Sequence, residues 1–518
     1  MKVLGLSFGF HDSAAALLID GRILAAGQEE RFTRIKHDAG FPRRAIEFCL
    51  GQANISTAEV DRIVYYEDAL KKFDRIVWAS TVRQQQKSNG GLIGTARTLW
   101  NAVTKANDVP PYLRSVTHSW FRLDKFDAVG KICDELGVSR EKVAYVDHHD
   151  SHLAAAFYTS AFDHAAVVTM DGVGEYETAV IAVGRGSEIE RKLAINLPHS
   201  IGLFYSAFTA FLGFEVNEGE YKVMGMAAFG QPRFYDEVRK LITLRDDGGF
   251  EIDQSCFEFL TPESLPYTEE FLRRFGEPRE PEADFAVARS DLPEDLTDIE
   301  ADRILSSSRH YADVAASVQL CTEELILHVV AKASAMAGTR NVCLAGGVAL
   351  NSLANGRLIR EGGYNLFVHP AAGDAGNAIG AAASYHHRAA GQPRMQGFAS
   401  PYLGSPLDPA EIDAAVATSG FDAVTTWSSD GALVGHLGTY GAPVALLLQQ
   451  SLRDLLGRVE AGHVLLIGSG SDEFRRAFLA DAAESAGREF LQSTASFAAA
   501  RATRLGLLGA LAEEHLAL

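Results

Sequence analysis

The sequence predicts an α/β protein: a duplicated α/β domain with a central cleft over residues 1–395, then a smaller, divergent α/β domain over 396–518. Three observations lead there. A plan of strand, turn, strand, helix occurs twice, over roughly the first fifty residues and again from 164 to 214. Each copy opens with an acidic turn directly after a strand, His11-Asp12 in the first and Asp171-Gly172 in the second. GQPRMQGFASPYLGSPLDP (391–409) concentrates glycine, proline and serine as a boundary does. A chain of 518 residues is also too long for one compact core.

Taken in order, residues 2–8 (KVLGLSF) read as a strand. SAAALLID, a Gly21-Arg22 turn and ILAAGQEE then form a hairpin. FPRRAIEFCLGQA has helical spacing, and DRIVYYED returns to strand. VDHHDSHLAAA (146–156) carries a strand into an alanine-rich helix. The second copy follows as strand, glycine turn, strand and turn over 164–186, then a helix over 200–214. The acidic, proline-bearing stretch PREPEADFAVARSDLPEDLTDIEADR is expected to be a long surface connection, and 308–337 one long helix. NVCLAGG (341–347) and NLFVHP (365–370), each with a following helix, complete the second set. Beyond the boundary come a helix, a strand, the run LLLQQSLRDLLGRVEAG, and a strand, glycine turn and helix over HVLLIGSGSDEFRRAFLADAAESAG. Ligands in such folds sit at strand ends, where the carboxylates and glycines cluster.

Composition narrows the function. The net charge of −19 argues against a nucleic-acid surface and favours a small-molecule substrate. No uninterrupted apolar run has membrane-spanning length, and the N-terminus reads as a strand, not a secretory signal. Five cysteines lie far apart with no CxxC, which suits the reducing cytoplasm and excludes a disulfide frame or a cysteine zinc site.

Three of the 16 histidines crowd into 148–152. His148 and His152 are four apart and share a helix face, so they can reach one metal ion or simply end a helix. His149 lies about 100° around the helix and is expected to orient a neighbour or contact substrate. Two imidazoles leave a divalent ion short of ligands; Asp374, in HPAAGDAGNAIGAA, is the candidate third. That donor set suits iron, zinc or manganese. His11 can take a proton from a hydroxyl, or can be a turn residue bonded to backbone. In MDGVGEYE, Asp171 and Glu175 with Gly172 and Gly174 can approach polyphosphate and magnesium, or form an ordinary hairpin turn. Gly346 and Gly347 open GGVALNSLANGRL, a turn into a helix whose N-terminus favours an anion. NEGEYKVMGMAAFG, with Lys222, is expected to be a partly buried loop. EERFTRIKHDAGFP can be solvated or clamp an anion, with Lys36 as the preferred charge.

At SFGFHDSAAALL, EERFTRIKHDAGFP, VDHHDSHLAAAFYTS, MDGVGEYETA, SIGLFYSAFTAFLGF, EGEYKVMGMAAFG, AGGVALNSLANGRL and HPAAGDAGNAIGAA the chain resembles the O-carbamoyltransferases of nodulation-factor and antibiotic biosynthesis. It is more distantly similar to the tRNA threonylcarbamoyl-transferring protein. The resemblance spans residues 1 to about 390 and implies a duplicated actin-like/Hsp70-like (ASKHA) domain. It implies that carbamoyl phosphate and ATP, with magnesium, give carbamoyl adenylate in a C-terminal domain. The carbamoyl group then passes to a hydroxyl of a small metabolite or natural product in the metal-bearing N-terminal domain. It implies metal binding by His148, His152 and Asp374, His11 near the acceptor hydroxyl, and Lys36 near the carbamoyl or phosphate group. Gly346, Gly347, Asn351 and Gly376 would lie at the nucleotide, with Gly172, Gly174 and Lys222 also expected in its site.

The C-terminal region departs from that family. After PYLGSPLDPAEIDAAV there is no arginine-rich stretch of the form G-R-M-E-F-G-P-R-A-L-G, and residues 430–470 hold few arginines and no lysine. Binding carbamoyl phosphate and ATP together needs convergent cations. The alternative to a complete enzyme is therefore a nucleotide- and metal-binding homologue that depends on a partner protein and docks it through its C-terminus. A homo-oligomer is equally open.

Overall fold

A computed structural model describes residues 1–87, 127–260, 265–281, 283–293, 295–395, 397–398 and 401–404, together with four C-terminal strands at 424–429, 432–438, 444–447 and 465–466. Contacts divide the chain into two compact units, Met1–Gly404 and Ser405–Leu518. In the second unit the four strands form one sheet, antiparallel except for the last pair. The helices expected there, and the Gly468–Asp472 turn region, lie outside the described residues.

The first unit holds two five-stranded sheets. One contains β1 (Lys2–Ser7), β2 (Ala14–Ile19), β3 (Arg22–Gln28), β4 (Arg62–Tyr65) and β5 (Val143–Tyr145), in the order β3-β2-β1-β4-β5. The other contains β6 (His164–Met170), β7 (Glu177–Arg185), β8 (Glu188–Asn196), β11 (Asn341–Ala345) and β12 (Asn365–Val368), with β9 and β10 forming a small separate ribbon (Ile242–Leu244, Phe250–Ile252). Its order, β8-β7-β6-β11-β12, repeats the first. The senses match as well: the first three strands of each set are antiparallel, and the later two add parallel to the opening strand. This is the duplicated actin-like/Hsp70-like plan expected of the domain.

Two helices join the halves. α1 (His148–Thr159) buries every residue except Asp150, including Leu153, Phe157 and Tyr158. Each large apolar side chain there contributes roughly 1.5–3 kcal/mol by leaving water. α4 (Asn377–Ser384) is wholly buried and built from small residues. A side chain on Gly380 would strike the Ser151 carbonyl, and one on Gly5 of β1 would strike Ala378. The small residues thus let α4 lie tightly between α1 and β1. That close approach brings the start of α1 to the turn preceding α4.

Two expectations change. The long helix α3 spans Asp298–Ala337, ten residues earlier than expected, so the acidic stretch is helical at its end. Thr297 and Glu300 form a capping box, each side chain meeting the other's backbone N–H. α3 is long and apolar enough to cross a membrane, but 67% of its most apolar window is buried. Its inner face (Val314, Val318, Leu325, Val329) joins the core of the second sheet. The expected loop at 217–230 contains a helix, α2 (Glu220–Ala227). Val223 and Met226 bury one turn apart, while Glu220 accepts from the Ser206 hydroxyl and the Asn217 N–H. The Glu220 carboxylate is therefore paired. All five cysteines are free.

Candidate metal centre

Four donors converge where α1 begins. His148 Nε2 lies 3.0 Å from Asp171 Oδ2 and 3.6 Å from Asp374 Oδ1. His152 Nε2 lies 3.3 and 3.5 Å from the same oxygens. All four donor atoms fall within 4.8 Å of one another. His148 and His152 come from successive turns of α1, Asp171 from the end of β6, and Asp374 from the short 3-10 turn Asp374–Gly376 before α4. Asn377 Nδ2 sits 3.1 Å from His152 Nε2 and 3.5 Å from Asp374 Oδ1.

The chemistry of this set fits a divalent cation. Two adjacent carboxylates, Asp374 buried and Asp171 half-buried, repel each other, and two neutral imidazoles do not compensate them; a dication does. Burial pushes both carboxyls upward, yet His148 and His152 pull Asp171 and Asp374 below the ordinary carboxylate range. Burial disfavours charge on His148, but Asp374, Asp171 and Glu175 outweigh it and push its pKa up to about 9. Without a cation, a proton on His148 does the neutralising. Because the folded value exceeds the ordinary 6.5, that stabilisation is complete below pH 6.5 and is lost as pH rises through about 9. Metal-stripped protein should therefore lose up to about 3 kcal/mol over this window, a bound set by 1.36 kcal/mol per unit. Calorimetry with and without chelator checks this: a flat pH profile in the stripped protein would contradict it.

The surroundings of the cluster have separate tasks. Glu175 accepts from the backbone N–H of His148 and of Asp68, tying the start of α1 to the segment after β4. It serves backbone rather than a polyphosphate turn. Gly174 packs flat against His148, leaving no room for a side chain. His149 is fully buried, with Nδ1 2.7 Å from Thr169 Oγ1 and Nε2 2.9 Å from the Glu177 carbonyl. It ties α1 to β6 and β7, so of the two expected roles, orienting a neighbour or contacting substrate, the first is the one these bonds fit.

The glycine turn after β11 lies against the same aspartate. Asp171 Oδ1 accepts from Gly347 N at 3.1 Å while Oδ2 faces the imidazoles. Gly346 has φ of 89° and a Cβ there would run into the Met170 carbonyl. Gly346→Ala should therefore lower stability by about 2–4 kcal/mol, since strain and backbone displacement combine; a denaturant melt within 0.5 kcal/mol (roughly a surface change) of the parent would refute this. Asn351 caps the helix Ser352–Arg360 through Ala354 N and exchanges hydrogen bonds with Gln319. Gly376 ends the Asp374 turn, and Gly172 accepts from the Ser200 hydroxyl through its carbonyl.

His11 lies on the turn after β1. Burial lowers its pKa, but the hydrogen bond to Asp12 and the charges of Asp374, Asp12 and Asp171 raise it overall. The field of the two candidate ligands thus reaches His11. Lys36 and Lys222 are exposed. Lys36 pairs with Glu218 at 3.0 Å, and the Lys222 ammonium lies 5.9 Å from the Phe214 ring centroid. Asp171 is the member of the cluster that sequence reasoning left between a phosphate turn and an ordinary hairpin turn. Its signal was its place at the end of the second copy's opening strand.

A family model described as "Carbamoyltransferase N-terminus" matches residues 2–383. An uncharacterized Synechocystis protein, sll1178, is 39% identical over 446 residues, 84% of this chain and 66% of that one. The nodulation protein NolNO of Sinorhizobium fredii is 31% identical over 445 residues, 82% of this chain and 55% of that one. The chain therefore spans about half to two thirds of these relatives. A solved structure of T. kodakarensis HypF aligns with 76% of this chain and 48% of its own, at 16% identity and a TM-score of 0.35, too loosely to add to the argument. With a family match running through both sheets, α1 and the Asp374 turn, the chain belongs to the carbamoyltransferase N-terminus family.

Proposed function

We propose that this protein is a cytoplasmic O-carbamoyltransferase that moves a carbamoyl group from carbamoyl phosphate, by way of ATP and carbamoyl adenylate, to a hydroxyl of a small metabolite. The single observation that carries the reading is the convergent His148, His152, Asp171 and Asp374 set beside the Gly346-Gly347 turn and within the electrostatic reach of His11. We assign the four residues as ligands of iron(II), zinc or manganese.

A carbamoyl carbon is a poor electrophile because its nitrogen donates into the carbonyl, and adenylation supplies the leaving group it lacks. A bound dication would offset charge on the phosphate or polarise the carbonyl. His11 would take the proton as the acceptor oxygen bonds to the carbamoyl carbon and the bond to AMP breaks. The products are the carbamate ester, AMP and a proton now on His11. The Gly346-Gly347 turn, whose N–H groups bond the Ala372 carbonyl and Asp171, fixes the carboxylate beside which the nucleotide is assigned to bind. Lys36, exposed and paired with Glu218, is assigned to the incoming anion, which would have to displace that carboxylate.

The test is incubation of metal-loaded full chain with carbamoyl phosphate, ATP and a panel of hydroxylated acceptors, scoring pyrophosphate and the mass gain of one carbamoyl for one hydrogen. Carbamoylated product supports the reading. Retained nucleotide binding with no product, and product only on adding a second protein, would replace it with the partner-dependent alternative.

A further inference from the structure

We propose that Asp12 and His37, hydrogen-bonded in line and backed by the Glu218 carboxylate, form a relay that sets the tautomer of His11, making them positioning residues for the base. The inference rests on the transferase reading above. It starts from a line of contacts outside the metal cluster. His11 Nδ1 is 2.9 Å from Asp12 Oδ2, and the other oxygen of Asp12 is 2.7 Å from His37 Nδ1. His37 Nε2 is 3.3 Å from Glu218 Oε1, whose second oxygen accepts from Lys36 at 3.0 Å. The line runs from the base in the first repeat to a carboxylate in the second.

The backbone is bent to make this line. Asp12 and His37 both have φ of 54°, the left-handed region that non-glycine residues rarely adopt. Such conformations persist only where surrounding structure enforces them, and they concentrate at functional sites. Here the enforcement is visible. Ser13 N donates to Asp38 O at 2.8 Å, Gly9 N to Ala39 O at 3.1 Å, and His37 N to Glu30 Oε2 at 2.9 Å. The loop after β3 is thereby laid on the turn after β1. Asp12, Glu30 and His37 also lie close enough to hold a cation, but each already has a protein partner, so hydrogen bonding fills the site.

The chemistry explains why a base would need it. A neutral imidazole carries one proton, and the nitrogen without it is the one that can accept. Asp12 beside Nδ1 keeps the proton there and leaves Nε2 free for the acceptor hydroxyl, the logic by which a buried aspartate orients a catalytic histidine elsewhere. Burial opposes ionisation of Asp12, but its bonds to His11 and His37 hold it below the ordinary carboxylate range. The charged groups facing His11 are Asp12, Asp171 and Asp374, with the His37 ring centroid 6.4 Å away.

The test compares Asp12→Asn and His37→Ala with the parent in metal-loaded full chain, across pH. An amide at residue 12 can donate to Nδ1 and force the proton onto Nε2. Asp12→Asn should therefore lower kcat about 10²–10⁴-fold with the acceptor KM unchanged. It should move the acid limb of the profile to lower pH, because a carboxylate that raised His11 is gone. His37→Ala removes a donor from Asp12, leaves Asp12 a stronger acceptor, and should move the limb the other way. Shifts in opposite directions from adjacent substitutions are not a product of general loosening; shifts in one direction, or none, overturn the relay. A second readout does not depend on turnover. Nitrogen-15 spectra of labelled histidines, with His11 assigned by substitution, should show the Nδ1–H tautomer in the parent and Nε2–H in Asp12→Asn. An unchanged tautomer overturns the relay, whereas a parent that transfers no carbamoyl group overturns only the transferase reading.

Discussion

Asp171→Asn should strip the protein of its divalent cation and of carbamoyl transfer together. Asp171 is the pivot of the centre: Oδ2 faces both imidazoles while Oδ1 holds Gly347 N. The amide keeps the shape and some hydrogen bonding but removes one of two anionic donors. Loss of a residue merely supporting a ligand costs about 10–100-fold in metal affinity, so loss of a ligand should cost at least about 10²-fold. Transfer should fall at least as far. Stability of the metal-free protein should fall, because the imidazoles that hold the Asp171 carboxyl below the ordinary range lose their anionic partner. The measurement is metal content after equilibration in a buffered metal solution, with transfer rate and a thermal melt on the same sample. Full metal occupancy in a folded Asp171→Asn protein would remove Asp171 from the ligand set. Asp374→Asn is the companion, expected to lose metal while leaving the Gly347 contact intact.

His11→Asn should lower transfer by about 10²–10⁴-fold, the range of a positioned general base, with metal content unchanged. Pyrophosphate release without acceptor should also continue, because the role proposed for His11 is at the hydroxyl and not in the adenylation. In the parent, activity should fall as acid protonates His11. Its pKa lies above the ordinary imidazole value because Asp12, Asp374 and Asp171 overcome burial. A cation on the two latter carboxylates offsets their field, so loading should lower the titration point of His11 and stripping should raise it. Histidine spectra of loaded and stripped protein check the sign. Unaltered transfer by a folded His11→Asn protein would end its assignment as base.

Much of the fold was legible because its cues are local. The hairpin at Gly21-Arg22, the α1 alanines and the apolar β11 are each read within a dozen residues, and the strand–turn–strand–helix repetition exposed the duplication. Two element ends were misread for opposite reasons. The capping box at Thr297 was present in the sequence but masked by a proline-rich acidic stretch. The helix Glu220–Ala227 looked like a loop because of its flanking glycines, and the partner that settles Glu220, Ser206, belongs to a different helix. His149 shows a further limit: spacing places it around the helix from His148, but only packing decides whether that side meets substrate or the β6 and β7 strands.

The sequence by itself determined the α/β class, the duplicated plan, and the placing of His148 and His152 on one helix face, since period and turn chemistry act between near neighbours. The sequence also nominated Asp374 as the partner of those imidazoles; tertiary structure alone decided that Asp171 joins them, that Lys36 pairs with Glu218, and that His11 leads through Asp12 to His37. The reason is the range of the forces involved. The donors meet because small residues let α4 close on α1 and because β6 lies beside β11. Such contacts join segments far apart along the chain, and no local period records them.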